Sequence, residues 1–159
     1  MGFFDRRRSQ GPFVRRDDGD FDVELDDDVR GLIMSLVGQV RDLLSTDSPA
    51  LRRLAPPPYG DDDERNAGYA VLAGAELFES RLAGIAAVEE TIGADVLTED
   101  QLTAWMRSIN DVRLVLGTIL GIEDDAGPGE LTDEELPMLS AYELLGAVLD
   151  AIVDALTSA

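Results

Sequence analysis

Four stretches of this chain place apolar residues three and four positions apart, with polar residues on the opposite side. That spacing follows the α-helical turn and gives each stretch one apolar stripe to bury. None is apolar all round, and no repeat of fixed period links them, so the stripes must bury one another. A bundle of helices is the fold such a pattern dictates.

The first stripe is Val29, Leu32, Ile33, Leu36, Val37, Val40, Leu43 and Leu44. Asp26, Asp27 and Asp28 precede it, offering an N-cap and suiting the positive end of the helix dipole. Ser45 to Gly60 is a loop, because its prolines cannot continue a helix. The second helix opens at Asp61-Asp62-Asp63-Glu64 and reaches about Ile92-Gly93, with Tyr69, Leu72, Phe78, Leu82, Ile85 and Val88 as its stripe. Gly68, Gly74 and Gly84 each cost about 1 kcal/mol relative to alanine inside a helix, so they point to a close neighbour or a mid-helix break. Thr98 and Gln101 have capping-box spacing at the start of the third helix. Leu102, Trp105, Ile109, Val112, Leu116 and Ile119 form its buried face, and Gly121 suits its end. After an acidic, Gly/Pro-rich connector from Ile122 to Pro137, Ser140 and Glu143 repeat the capping-box spacing. Tyr142, Leu145, Leu149, Ile152 and Leu156 then mark a fourth helix.

Ahead of the helices, Phe21-Asp22-Val23-Glu24-Leu25 alternates as a half-buried strand does. Pro12 to Arg16 can pair with it across Asp17-Asp18-Gly19-Asp20, giving Arg15 and Arg16 cross-strand partners among Asp20, Asp22 and Glu24. The expected fold is mainly α: a helical bundle of four main helices with a short N-terminal β-hairpin. It forms a single domain over residues 11–159 behind a flexible basic tail at residues 1–10.

Composition decides the chemistry. The chain of 159 residues has no histidine, no cysteine and no lysine, so all 13 basic residues are arginine. That removes an imidazole base near neutral pH, a thiolate nucleophile or soft metal ligand and an amine nucleophile. The serines have no histidine or lysine to activate them. Asp18, Asp20 and Asp22 have the opening spacing of a calcium loop, but Val23 stands where that loop needs glycine and Val29 where it needs glutamate. Asp26–Asp28, Asp61–Asp63 and Glu123–Asp125 are consecutive and do not converge on one point. Nothing among the 33 acids selects a pair for glycosidase-type chemistry. The expectation is no catalytic residue, no cofactor, no metal site and no enzyme activity.

The net charge of -20 is uneven. Residues 1–16 hold five arginines against one aspartate, whereas the remainder holds eight arginines against 32 acids. An acidic body repels nucleic acid and anionic membrane. Arg6, Arg7, Arg8, Arg15 and Arg16 are the candidate nucleic-acid contacts, acting locally because salt screens charge beyond about 8 Å; a solvated or salt-bridged terminus is the plainer alternative. MGFFDRRRSQGPF has no apolar run for a signal peptide, and no wholly apolar stretch is long enough for a bilayer. A cytoplasmic chain without membrane contact is expected. In the third helix, Arg107 and Asp111 lie four apart and can pair on one face; Asn110 and Arg113 lie three apart on another. Arg113 borders the buried stripe and calls for a carboxylate from elsewhere.

The segments LRRLAPPPYGDDDERNAGY (51–69), AWMRSINDVRLVLGTILGI (104–122) and AYELLGAVLDAIVDAL (141–156) resemble, in the same order, an actinobacterial family known as domain of unknown function twenty-seventeen. The most specific match is Trp105, Ile109, Asn110, Asp111, Arg113, Leu114, Leu116 and Gly117; Arg53, Leu54, Pro57 and Tyr59 match a loop signature. The resemblance implies a helical protein encoded beside the proteolytic adaptor ClpS, one branch being oxidative-stress-responsive transcription regulators of the AosR type. On that likeness Arg53, Tyr59, Trp105, Asn110, Asp111 and Arg113 are signature residues with a structural role. A thiol sensor needs cysteine, so disulfide switching is closed to this chain. The expected function is a non-enzymatic regulatory or protein-interaction module. The resemblance makes it a transcription regulator linked to oxidative stress, with a protein partner (self, as a homo-oligomer, or transcription machinery) and DNA reached through the N-terminal arginines. The alternatives are a carboxylate- or metal-dependent small enzyme and an accessory factor of the ClpS–protease system.

Overall fold

The computed structural model describes residues 11–46, 78–122 and 131–158. In chain order its elements are β1 (Phe13–Arg15), β2 (Phe21–Val23), α1 (Asp27–Leu44), α2 (described over residues 78–91), β3 (Val96–Leu97), α3 (Glu99–Ile119) and α4 (Leu136–Thr157). Among the described residues the architecture is four helices with a small antiparallel sheet at the N-terminal end.

β1 and β2 pair antiparallel, with Arg15 opposite Phe21 and Phe13 opposite Val23. Their turn places Gly19 at φ +91°, where a residue without Cβ sits at no steric cost. The alternation buries Phe21 and Val23 as their spacing requires. The sheet also has a strand that the sequence does not announce. β3 pairs with β2, Phe21 opposite Leu97, in the order β1-β2-β3; two residues are too few to show alternation.

α1 buries Ile33, Val37 and Val40. Asp26 occupies its N-cap position but makes no side-chain cap bond, so the three aspartates act on the dipole rather than as a cap. α3 starts as its sequence predicts. The Thr98 N–H donates to Gln101 Oε1 at 2.9 Å, and the Gln101 N–H donates to Thr98 Oγ1 at 3.2 Å. It ends with Gly121 at φ +73°. There the Gly121 N–H donates to the Thr118 carbonyl and the Ile122 N–H to that of Gly117, a Schellman close that buries Ile122.

α4 differs from its sequence reading. It begins at Leu136 with Pro137 in its first turn, so Ser140 and Glu143 lie inside the helix and do not cap it. Proline lacks only an N–H that the first turn leaves unbonded anyway. Its most buried line is Ala141, Leu145, Val148, Ile152 and Ala155, leaving Tyr142, Leu149 and Leu156 half-buried. Phe78 and Ile119, placed on buried stripes by their spacing, are exposed. α4 is also long and apolar enough to cross a membrane by length and composition alone; Glu143, Asp150 and Asp154 hide this when only unbroken apolar runs are counted. Its inner face is packed into the core of the chain.

α3 is the spine. It packs along α4 and α1, while β1 lies against α4. Leu102, Trp105 and Ile109 are wholly buried, and Phe13 meets the Trp105 ring edge-on at 6.3 Å. Two arginines cross-link the frame. Arg30 donates to the carbonyls of Ile92 and Ala94, each at 2.8 Å, and of Leu25 at 3.1 Å. Arg41 on α1 clamps Glu89 on α2, with Nη1 at 3.0 Å from Oε2 and Nη2 on Oε1.

Candidate functional site

Small residues let α2 and α3 approach. A methyl group built on Gly84 would lie 2.8 Å from the Ser108 Oγ, so the glycine permits this crossing, as the sequence suggests. Gly68 and Gly74 lie outside the described residues. Beside the crossing the two helices open into a cleft of about 430 Å³, walled by Arg81, Arg107, Ser108, Asn110 and Asp111 and floored by Ala83, Gly84 and Ala104.

Asp111 is the group the cleft perturbs. Four-residue spacing offers Arg107 as its partner, but Asp111 instead pairs with Arg81 across the helix boundary, Nη1 to Oδ1 at 2.8 Å. Burial pushes the Asp111 carboxyl above the usual aspartate range, outweighing the charge and hydrogen bond of Arg81, which pull it down. A carboxyl in this state can hold a proton or anchor a cation. Ser108 is buried beside it, and Asn110 is exposed at the rim. The sequence names Asn110 and Asp111 as signature residues but misses Arg81 and Ser108. Arg81 sits on the polar side of its helix, where it looks like any solvated arginine.

Trp105 is core. Arg113 has no carboxylate within reach among the described residues; its guanidinium instead lies over the Tyr142 ring, 4.5 Å from the centroid. Desolvated cations over a ring face gain roughly as much as a modest ion pair, which offsets part of the cost of burying Arg113 without an acid. Arg53 and Tyr59 lie outside the described residues.

The basic arm divides in the same way. Arg6, Arg7 and Arg8 lie outside the described residues. Arg16 has the cross-strand partner its position predicts. It pairs with Asp22 at 3.2 Å and with Asp18 at 3.3 Å, and these two acids hold its guanidinium above its ordinary value, Asp22 most. Arg15 takes no cross-strand acid. It donates to the carbonyls of Ser158 at 3.1 Å and Leu156 at 3.2 Å, lies 3.8 Å from Glu99 and covers the Phe21 ring. A cation on the last carbonyls of α4 suits the negative end of its dipole. Among the described residues no three acids gather as a metal-ligand group.

Fold and cleft together define an acidic helical-bundle domain with a charged inter-helix cleft. The family model for the domain of unknown function DUF2017 matches residues 10–156, and the chain belongs to that family. No curated protein and no solved structure gives a significant match. The matched region starts after Arg6, Arg7 and Arg8, so those three arginines lie outside the family's shared domain.

Proposed function

We propose that this chain is a non-enzymatic regulatory domain of the cytoplasm that works by macromolecular contact, in transcriptional control linked to oxidative stress. Its partner is another protein, a second copy or the transcription machinery, and Arg6, Arg7 and Arg8 are its contacts to DNA. The observation that carries this is the state of the cleft. Its one perturbed acid, Asp111, is committed to Arg81, in a chain with no histidine, cysteine or lysine to serve as base or nucleophile. Arg15 is tied to the last carbonyls of α4 and Arg16 is paired with Asp18 and Asp22, which leaves the first three arginines of the basic arm for phosphate. The stress-linked role follows the family resemblance alone, and without cysteine the oxidative signal must arrive through a partner.

A salt titration of duplex-DNA binding tests this. Log affinity falls with log salt by roughly 0.9 per phosphate neutralised, so replacing Arg6, Arg7 and Arg8 with glutamine lowers that slope by up to about 3. Binding that ignores salt, or is unchanged in the triple variant, removes DNA from the proposal.

One observation favours a second reading, a carboxylate-dependent enzyme. Asp111 is raised by burial in a cleft that also presents a serine and an asparagine. Turnover of a small molecule that Asp111→Asn abolishes while the fold survives would establish it in place of the first.

A further inference from the structure

Seven arginines lie among the described residues, and five of them meet a carboxylate: Arg15 with Glu99, Arg16 with Asp18 and Asp22, Arg30 with Asp95, Arg41 with Glu89 and Arg81 with Asp111. Arg107 is exposed to water. Arg113 is the exception, half-buried and without an acid among the described residues. Its Nε is sealed from solvent with no hydrogen-bond partner, because it lies over Gly146, 3.2 Å from where a methyl group there would sit. The Tyr142 ring holds the guanidinium flat. An arginine fixed on a ring has already lost most of its freedom and is pre-organised for a carboxylate.

The surface around it is unfinished too. Tyr142, Gly146, Leu149 and Val153 follow three-and-four spacing and so share one flank of α4. None belongs to the helix's buried line, and Val153 is 41% exposed. The most apolar window of α4 has mean hydropathy 1.6, yet only 28% of it is buried inside the chain. Glu143 and Asp150 border this flank and enter no ion pair among the described residues. A patch holding a cation and acids unpaired among the described residues, with an apolar stripe between them, is its own complement, as a two-fold interface requires.

We propose that this flank is a two-fold interface in which a second copy of the chain packs its α4 against this one and brings its Glu143 or Asp150 to Arg113. The inference rests on the reading that the chain acts through protein contacts, and it names self as the partner. The net charge of -20 opposes association, but that repulsion is screened beyond about 8 Å at physiological salt, whereas Arg113 pairs at contact.

Sedimentation equilibrium of the full chain in physiological salt tests the interface. The wild type is a dimer at micromolar concentration. Val153→Glu and Arg113→Glu each weaken it at least about tenfold, with helicity by circular dichroism unchanged. Arg113→Glu combined with Glu143→Arg or Asp150→Arg restores association. A wild type that stays monomeric at about 100 μM, a dimer indifferent to Val153→Glu, or rescue by neither exchange overturns the proposal. Should Arg113→Glu unfold the chain, Val153→Glu at its exposed position carries the test alone. Monomers that still bind DNA sink the interface and leave the regulatory reading standing; dimers that bind no DNA do the reverse.

Discussion

The Trp105 indole N–H donates to the Thr91 hydroxyl at 2.7 Å, and that hydroxyl in turn donates to the Ala87 carbonyl at 2.6 Å. This short relay lets the largest side chain of the core sit fully buried with its one polar atom satisfied. Thr91→Val keeps the volume and strands the indole N–H. We expect a loss of about 1–3 kcal/mol in urea unfolding; an unchanged midpoint would mean that the indole finds water instead.

Arg30 and Arg16 both sit beside acids but differ in depth. Arg30 holds the turn after α2 through two carbonyls at 2.8 Å, with its side chain 12% exposed. Arg30→Met therefore costs about 3 kcal/mol, since bonds to charged groups are strong and two carbonyls lose their partner. Arg16→Met, on a solvated turn, leaves the unfolding midpoint in place. Equal effects would contradict this ranking.

Asp111 carries a pH signature. A carboxyl whose folded pKa exceeds its unfolded value of about 3.9 binds more protons when folded, so stability falls as pH rises through that window. Above the window the cost is constant. Arg81→Met removes the charge and hydrogen bond that hold this pKa down, so Asp111 titrates higher still. The stability lost in Arg81→Met is greatest at neutral pH and shrinks as pH falls through the raised pKa. Carboxyl-carbon NMR titration reads both steps, and a wild-type Asp111 at or below the ordinary value would refute the ordering.

Gly84 and Ser108 form a testable pair. Gly84→Ala pushes its new methyl against the Ser108 Oγ at 2.8 Å, and overpacking of this kind costs about 1–3 kcal/mol. Ser108→Ala removes that oxygen, so the double variant should recover most of the loss. Strict additivity of the two changes would show that the helices do not meet there.

Signals carried by neighbours in the chain were legible in the sequence. The Thr98–Gln101 box, the Gly121 close and the Phe21–Val23 alternation each depend on a few adjacent residues, and each is present as read. What failed depends on distant chain. β3 exists because β2 offers it an edge. Asp111 turned from Arg107, on its own helix, to Arg81 on another. Arg113 meets a ring on α4 where its burial calls for a carboxylate. Pro137 reads in the sequence as the end of a connector, although proline is as much at home in a first helical turn.

The central claim is that Trp105 is committed to the core and Asp111 to Arg81, while Arg113, beside them on the same helix, is kept for a partner. Self-association of Arg113→Gln, measured by sedimentation equilibrium beside its urea unfolding curve, tests it most directly. Association should fall at least about tenfold while stability changes by no more than about 2 kcal/mol, the worth of a desolvated cation over a ring. Undiminished association, or association lost only in proportion to lost stability, would contradict the claim.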